Sequence, residues 1–214
     1  MQIFNKNTAA IVAQKLLEIK AIRLQPEQPF TWASGWKSPI YCDNRLSLSY
    51  PEVRNIIKDE LVNAIKENFP GVEAIAGVAT AGIPQGALVA DALGLPFLYV
   101  RSKAKGHGME NMIEGKVTPG QKVVVVEDLV STGGSSLKAV QDLKGAEFDV
   151  LGMVSIFTYG FELAKNNFEE AGVKLVCLSD YEAMLPLAIE LDYATSEDLS
   201  SLEEWRKDPA NWKK

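Results

Sequence analysis

One stretch near the middle of the chain limits what it can fold into more than any other. From Val123 it reads Val-Val-Val-Val-Glu-Asp-Leu-Val-Ser-Thr-Gly-Gly-Ser, and it continues into the helix-forming Ser136-Leu137-Lys138-Ala139-Val140. Four consecutive β-branched residues without polar alternation predict a strand buried on both faces, the condition of a parallel sheet. The glycine pair lets the chain turn sharply and removes Cβ atoms that would block a close ligand. A helix after the turn directs its free N–H groups and the positive end of its dipole back at it. Strand, hydroxyl- and glycine-rich turn and helix together make a phosphate cradle. Glu127 and Asp128 stand just before it, where the carboxyl end of a strand meets the ligand crevice of an α/β sheet. An ordinary βα turn with surface acids is the competing reading.

Around this stretch the chain alternates. Residues 74–78, 97–100, 122–126, 150–157 and 173–178 read as strands, and 83–93, 135–143 and 162–171 as helices. Short connections of this kind predict a parallel sheet with helices on both faces, and the right-handed crossover rule leaves a doubly wound sheet. Helical segments follow over 181–212. Upstream, Asn7 or Thr8 caps a first helix carrying Ile11, Leu16, Leu17 and Ile19, and Pro26 and Pro29 break the pattern. Residues 30–32 and 39–41 read as short strands around the Ser34-Gly35 turn, and Tyr50-Pro51-Glu52 opens a second helix. The part of the chain before Gly71 does not alternate and is expected to cover the carboxyl edge of the sheet.

Composition excludes several classes. The 214 residues suffice for one α/β domain with a sizeable core. A content of 47% apolar and 23% charged residues is a soluble globular profile. A net charge of −6 argues against a nucleic-acid-binding surface but not against small anionic ligands, which need only a local patch. Cys42 and Cys177 lie far apart, without metal-ligand spacing, and are expected to remain thiols. No apolar run reaches membrane length and no signal segment opens the chain, so a cytoplasmic location is expected. Neither a dinucleotide-binding G-x-G-x-x-G nor a P-loop occurs.

The 123–135 stretch closely resembles the phosphoribosyl-pyrophosphate (PRPP) signature of type I phosphoribosyltransferases. The resemblance implies that Glu127 and Asp128 contact the ribose hydroxyls. It also implies that Leu129, Val130, Ser131, Thr132, Gly133, Gly134 and Ser135 bind PRPP, with the turn holding the 5′-phosphate. A second signal is the long polar stretch 102–120, entered through Arg101-Ser102-Lys103-Ala104-Lys105-Gly106-His107-Gly108, which holds the only histidine of the chain. Loops this long are uncommon in compact domains and are often lids. Alone it reads equally as an exposed cationic loop or as a clamp on a polyanion. It is similar to the loop of the orotate phosphoribosyltransferase family, which Arg101, Lys105 and His107 match residue by residue. That likeness implies a long mobile loop closing over pyrophosphate in the neighbouring subunit's site, hence a homodimer with shared active sites. Asp128, Lys105, His107 and Arg101 are then the expected catalytic groups.

Two further strings are similar to that family. Phe30-Thr31-Trp32-Ala33-Ser34-Gly35-Trp36-Lys37-Ser38-Pro39-Ile40-Tyr41-Cys42-Asp43-Asn44-Arg45 matches the hood over the base. Ser131, Tyr41 and Lys37 are the residues expected on orotate, with Lys37 or Arg45 supplying positive charge; a plain hairpin with core aromatics is the alternative. Gly77-Val78-Ala79-Thr80-Ala81-Gly82-Ile83-Pro84 resembles the pyrophosphate loop, implying PRPP contacts from Thr80 and Ala81 and a cis peptide at Ala79–Thr80.

The resemblance implies an α/β fold like that of the type I phosphoribosyltransferases: a doubly wound parallel sheet, an N-terminal hood subdomain and a long mobile loop. Residues 1–70 form the N-terminal helix and hood region, 71–180 the PRPP-binding core, and 181–214 helical segments packed on the same domain. The implied reaction passes the 5-phosphoribosyl group of PRPP to orotate. Mg²⁺ is carried by PRPP, with no direct protein ligand. The expected partners are the two small-molecule substrates and a second copy of the chain, with no nucleic acid and no membrane. Another base phosphoribosyltransferase, or an inactive PRPP-binding regulator, is the alternative reading; a basic DNA-binding extension that such a regulator calls for is absent from the sequence.

Overall fold

A run of valines needs two apolar faces to cover it, and the fold supplies both. The computed structural model describes residues 1–32, 35–103 and 112–213. In chain order its strands are β1 (Gln2–Ile3), β2 (Ile22–Leu24), β3 (Phe30–Thr31), β4 (Lys37–Ser38), β5 (Ile40–Cys42), β6 (Ala74–Val78), β7 (Phe97–Val100), β8 (Ile113–Glu114), β9 (Lys122–Val130), β10 (Asp149–Thr158) and β11 (Leu175–Asp180). Its helices are α1 (Lys6–Glu18), α2 (Pro51–Asn68), α3 (Gly82–Leu93), α4 (Gly134–Gly145), α5 (Glu162–Glu170), α6 (Tyr181–Glu190) and α7 (Leu199–Lys207). Among the described residues one seven-stranded sheet has the order β1-β11-β10-β9-β6-β7-β8. Its pairings are parallel except for β8, which runs antiparallel to β7 at the edge.

The valines of β9 divide between the two faces. Val124 and Val126 pack in one cluster with Leu16 of α1, Leu61 of α2, Val89 of α3 and Met184 of α6. Val123 and Val125 pack in the other with Leu137 and Val140 of α4 and Phe168 of α5. All four valines are fully buried, and each burial stabilises the fold by about 1.5–3 kcal/mol. The doubly wound expectation is therefore met, with an antiparallel edge strand that the polar reading of 102–120 did not foresee.

Several local expectations are corrected. The strand expected over 122–126 continues to Val130, so both acids lie inside β9. The last strand begins two residues later than expected and reaches Asp180. Asn5, not Asn7 or Thr8, caps α1, because a side-chain oxygen at this position satisfies a free first-turn amide. The Asn5 side chain accepts from the Thr8 amide at 2.8 Å. That helix stops at Glu18, followed by Lys20 in the left-handed region at φ 58, and Ile22–Leu24 becomes a strand. The hairpin partner of Phe30–Thr31 is Lys37–Ser38, because Pro39 has no N–H to continue the ladder. Ile40–Cys42 pairs instead with Ile22–Leu24. Within the N-terminal region expected to form a cover, β1 extends the main sheet and α1 and α2 cover one of its faces. The two small sheets, β2-β5 and β3-β4, are what remains for the cover over the crevice.

Cys177 sits fully buried in β11, and burial pushes its thiol up to about 12. A disulfide-exchange reagent at mildly alkaline pH is expected to leave Cys177 unmodified in the native protein and to modify it in denaturing urea. Peptide mapping of the labelled cysteine checks this.

Candidate active site

The chain leaves β6 for β7 on one side and returns to β9 on the other, so the winding reverses between β6 and β9. Ligand crevices of open α/β sheets form outside the strand carboxyl ends at such a switch point. Two helices begin there, α3 after β6 and α4 after β9, and neither has a side-chain cap on its first turn. Uncapped first-turn amides and two dipole ends converge on one crevice, a site built for an anion.

Two glycines make this geometry attainable. A Cβ at Gly82 would lie 2.5 Å from the Val126 carbonyl oxygen, so only glycine lets the start of α3 close on β9. Gly133 caps α4 at φ 84, in the left-handed region that glycine enters without steric cost. A Cβ at Gly134 would meet no protein atom within 4 Å, so the space in front of α4 is open. Across the crevice, the Ala79–Thr80 peptide is cis, as the resemblance implies, and places Thr80 and Ala81 immediately before α3.

The end of β9 and the turn after it are tied down from four elements. Asn44 Nδ2 donates to the Asp128 carbonyl at 2.7 Å, and Thr158 Oγ1 to the Val130 carbonyl at 2.9 Å. Asn167 Nδ2 donates to the Thr132 carbonyl at 2.9 Å, and Ser136 Oγ to Glu127 Oε2 at 2.9 Å. Glu127 is 5% exposed, and its other oxygen accepts the Asp128 amide at 3.0 Å. Burial, reinforced by the neighbouring Asp128 charge, pushes the Glu127 carboxyl well above its ordinary range. Burial also raises Asp128, which is the more open of the two acids.

Beside Asp128 lies a pocket of about 290 Å³ lined by Thr31, Trp32, Tyr41, Cys42, Leu129, Ser131 and Tyr159. Ser131 and Tyr41 thus meet in one apolar, aromatic cavity, a shape suited to a flat ring. Lys37 is not one of its lining residues; it donates to Thr31 Oγ1, which is, at 3.0 Å. Arg45 is exposed and paired with Asp43 at 2.7 Å. Arg101 leaves β7 two strands away from β9, and its guanidinium pairs with Glu114 of β8 at 3.1 Å. Lys105 and His107 lie outside the described residues.

The Phosphoribosyl transferase domain family matches residues 46–176. Proteins named orotate phosphoribosyltransferase from Cytophaga hutchinsonii and Bacteroides thetaiotaomicron are each 60% identical to the chain, over 95% and 97% of it and over 97% and 98% of their own lengths. The chain belongs to the orotate phosphoribosyltransferase family. A solved member of that family, from Aeropyrum pernix, superposes with a TM-score of 0.75 at 30% identity, covering 86% of this chain and 99% of that one. Leishmania donovani UMP synthase gives a TM-score of 0.79 at 26% identity over 94% of this chain, which spans only 43% of that larger protein.

Within the family frame, sequence reasoning passed over Asn44, Ser136, Thr158 and Asn167 as supports of this segment and Tyr159 as a pocket wall, whereas Trp32 lay in the string read as the hood over the base. Asparagine, serine and threonine have no periodicity to betray them; their partners lie 84, 9, 28 and 35 residues away for Asn44, Ser136, Thr158 and Asn167. Gly82→Ala is expected to cost about 1–3 kcal/mol, since the clash is with backbone that cannot step aside. A urea unfolding midpoint close to that of the unmodified chain would contradict this packing.

Proposed function

We propose that this chain transfers the 5-phosphoribosyl group of PRPP to orotate, giving orotidine 5′-monophosphate and pyrophosphate. The observation that carries the reading is 60% identity over 95% of the chain to a protein named for that activity. The ring nitrogen of orotate dianion is already nucleophilic, so the reaction needs no strong general base. Its barrier is positive charge on the ribose as pyrophosphate leaves, which positioning and electrostatics lower.

The proposed roles follow the crevice. The turn from Thr132 to Ser135, with the first amides of α4, holds the 5′-phosphate. Asp128 takes the ribose hydroxyls and favours the cationic transition state. Glu127 uses one lone pair on each of two protein donors and retains others for the ribose. Thr80 and Ala81, with the start of α3, face the pyrophosphate. Ser131, Tyr41 and Lys37 surround the base. Arg101, Lys105 and His107 are assigned to the leaving pyrophosphate in the site of a second copy, His107 as its proton donor. The closing loop keeps water from PRPP.

Among the described residues no three side chains of His, Cys, Asp or Glu gather into a metal cage. The carboxylates of Glu127 and Asp128 suit a hard, oxygen-bound ion held through the ribose hydroxyls. Mg²⁺ on the PRPP oxygens would supply neutralisation of the leaving group. The proposed setting is the cytoplasm, in keeping with two cysteines that are both free; no described helix is long and apolar enough to cross a membrane.

The direct test is loss of orotate absorbance with PRPP and Mg²⁺, with uracil and hypoxanthine as controls; preference for either control base would replace the reading. Asp128→Asn should lower kcat/KM on the order of 10²–10³-fold. Its melting temperature near neutral pH should be no lower than that of the parent. The folded carboxyl of Asp128 lies above its unfolded value, so it favours folding only in acid, and that stability is lost as pH rises through the raised pKa. Asparagine is spared the loss.

Shared sites have their own test. Mixing Lys105→Ala subunits with Asp128→Asn subunits is expected to regain activity, because one site of each mixed dimer is then intact. Absence of recovery, with subunit exchange verified by mass, would assign the loop to its own chain's site.

A further inference from the structure

A chain of buried polar groups joins the two sides of the crevice. Gln85, in the first turns of α3, donates through Nε2 to Ser47 Oγ at 3.2 Å. Ser47 Oγ donates in turn to the Asn44 carbonyl at 2.6 Å, within the short 3-10 helix Asn44–Ser49. Asn44 then reaches β9: its Nδ2 donates to the Asp128 carbonyl at 2.7 Å, while its Oδ1 accepts the Cys42 thiol at 3.3 Å. Gln85, Ser47 and Asn44 are all buried. The first and last of these links join residues 38 and 84 positions apart in the chain. The start of α3 also closes directly on β9, at the contact of Gly82 with the Val126 carbonyl. The helix therefore grips β9 twice, by backbone contact at Val126 and through hydrogen bonds at Asp128.

The direction of the chain is forced. A serine hydroxyl has one proton to donate, and Ser47 directs it at Asn44. Gln85 is then the donor in its bond to Ser47, and its Oε1 is left buried with no hydrogen-bond partner among the described residues. A buried, unpaired carbonyl oxygen lowers stability. A methionine of similar length fills the same place without that oxygen, so folding alone does not favour an amide here, whereas a fixed link to the end of β9 does. We propose that Gln85 and Ser47 are positioning residues for Asp128, setting its distance from the start of α3. This rests on the reaction proposed above and deepens it. In that reaction α3 faces the leaving pyrophosphate and Asp128 the ribose, so the link spans the two groups that part. Small displacements between such groups cost much in rate.

The experiment is a double-mutant cycle on the full-length chain. Gln85→Met and Ser47→Ala are each made in the parent and in Asp128→Asn, and kcat, both KM values and melting temperature are read. Gln85→Met is expected to lower kcat about tenfold in the parent, with KM for orotate within about twofold, as the loss of one positioning bond. Its melting temperature should not fall, because the unpaired oxygen leaves together with the bond. Ser47→Ala should lower kcat similarly, and the two changes together no further than either alone. In Asp128→Asn neither should lower kcat by more than about twofold, because the carboxylate they position is gone. A general packing defect behaves otherwise, lowering kcat by the same factor in both backgrounds. Parental kcat in folded Gln85→Met, or an equal loss in both backgrounds, overturns the proposal. Should Gln85→Met not fold, Ser47→Ala decides on the same criteria, and failure of both to fold overturns the proposal in favour of a purely structural role. A parent that converts uracil or hypoxanthine instead of orotate defeats the orotate reading alone, and the cycle is read on that base. A parent active with no base defeats both.

Discussion

The carboxyl end of β9 is the constraint on which the rest of the molecule depends. A strand buried on both faces has to emerge from the sheet into a turn, and the carbonyls of that turn need donors. Asn44, Thr158 and Asn167, from three separate parts of the fold, supply them to Asp128, Val130 and Thr132. Ser136 closes the fourth side by donating to Glu127. Each bond contributes only about 0.5–1.5 kcal/mol on its own, but together they fix the end of β9 and the turn into which it runs. The first-turn amides of α4, by contrast, meet no side-chain acceptor as a cap and remain free donors at the crevice.

This division resolves an apparent conflict of charge. The chain is acidic, at −6, and two of its acids, Glu127 and Asp128, lie at the end of β9 beside the crevice, yet the proposed substrate is a polyanion. Helix N-termini provide positive potential without cations, and two of them open between β6 and β9. In the proposed reaction Glu127 and Asp128 serve the part that becomes positive. Their burial raises both pKa values, which lowers stability at neutral pH. An acid pair of this kind is a functional feature that the surrounding core has to offset.

That core extends further into the site than the motif does. The aromatic cluster of Trp32, Tyr159, Phe161, Tyr181 and Trp205 joins the hairpin side of the pocket to the last helix. The pocket wall is therefore continuous with the hydrophobic cluster that holds α1 and α2 against one face of the sheet.

Much of this was legible in the sequence, for a physical reason. The unalternated valines, the acid pair and the glycine turn encode their structure locally, so the start of β9 and the body of α4 were read in place, while the end of β9, where the apolar run gives way to the two acids, was set four residues too early. The positions of β6, β7 and the helices between strands followed from hydrophobic period and short connections. What was misread lay where local signal is weak: the two-residue edge strands β1 and β8, the strand Ile22–Leu24 hidden behind a helical spacing, and the partner of Phe30–Thr31. Strands so short are decided by the neighbour they find. The supports of the turn and the wall of the base pocket belong to the same class. Asn44 and Asn167 acquire their supporting bonds only when chain segments distant in sequence are packed together. The sequence by itself determined that a buried strand, a glycine turn and a helix would follow one another here; tertiary structure decided which side chains hold that segment still, because contacts between remote residues leave no local pattern to read.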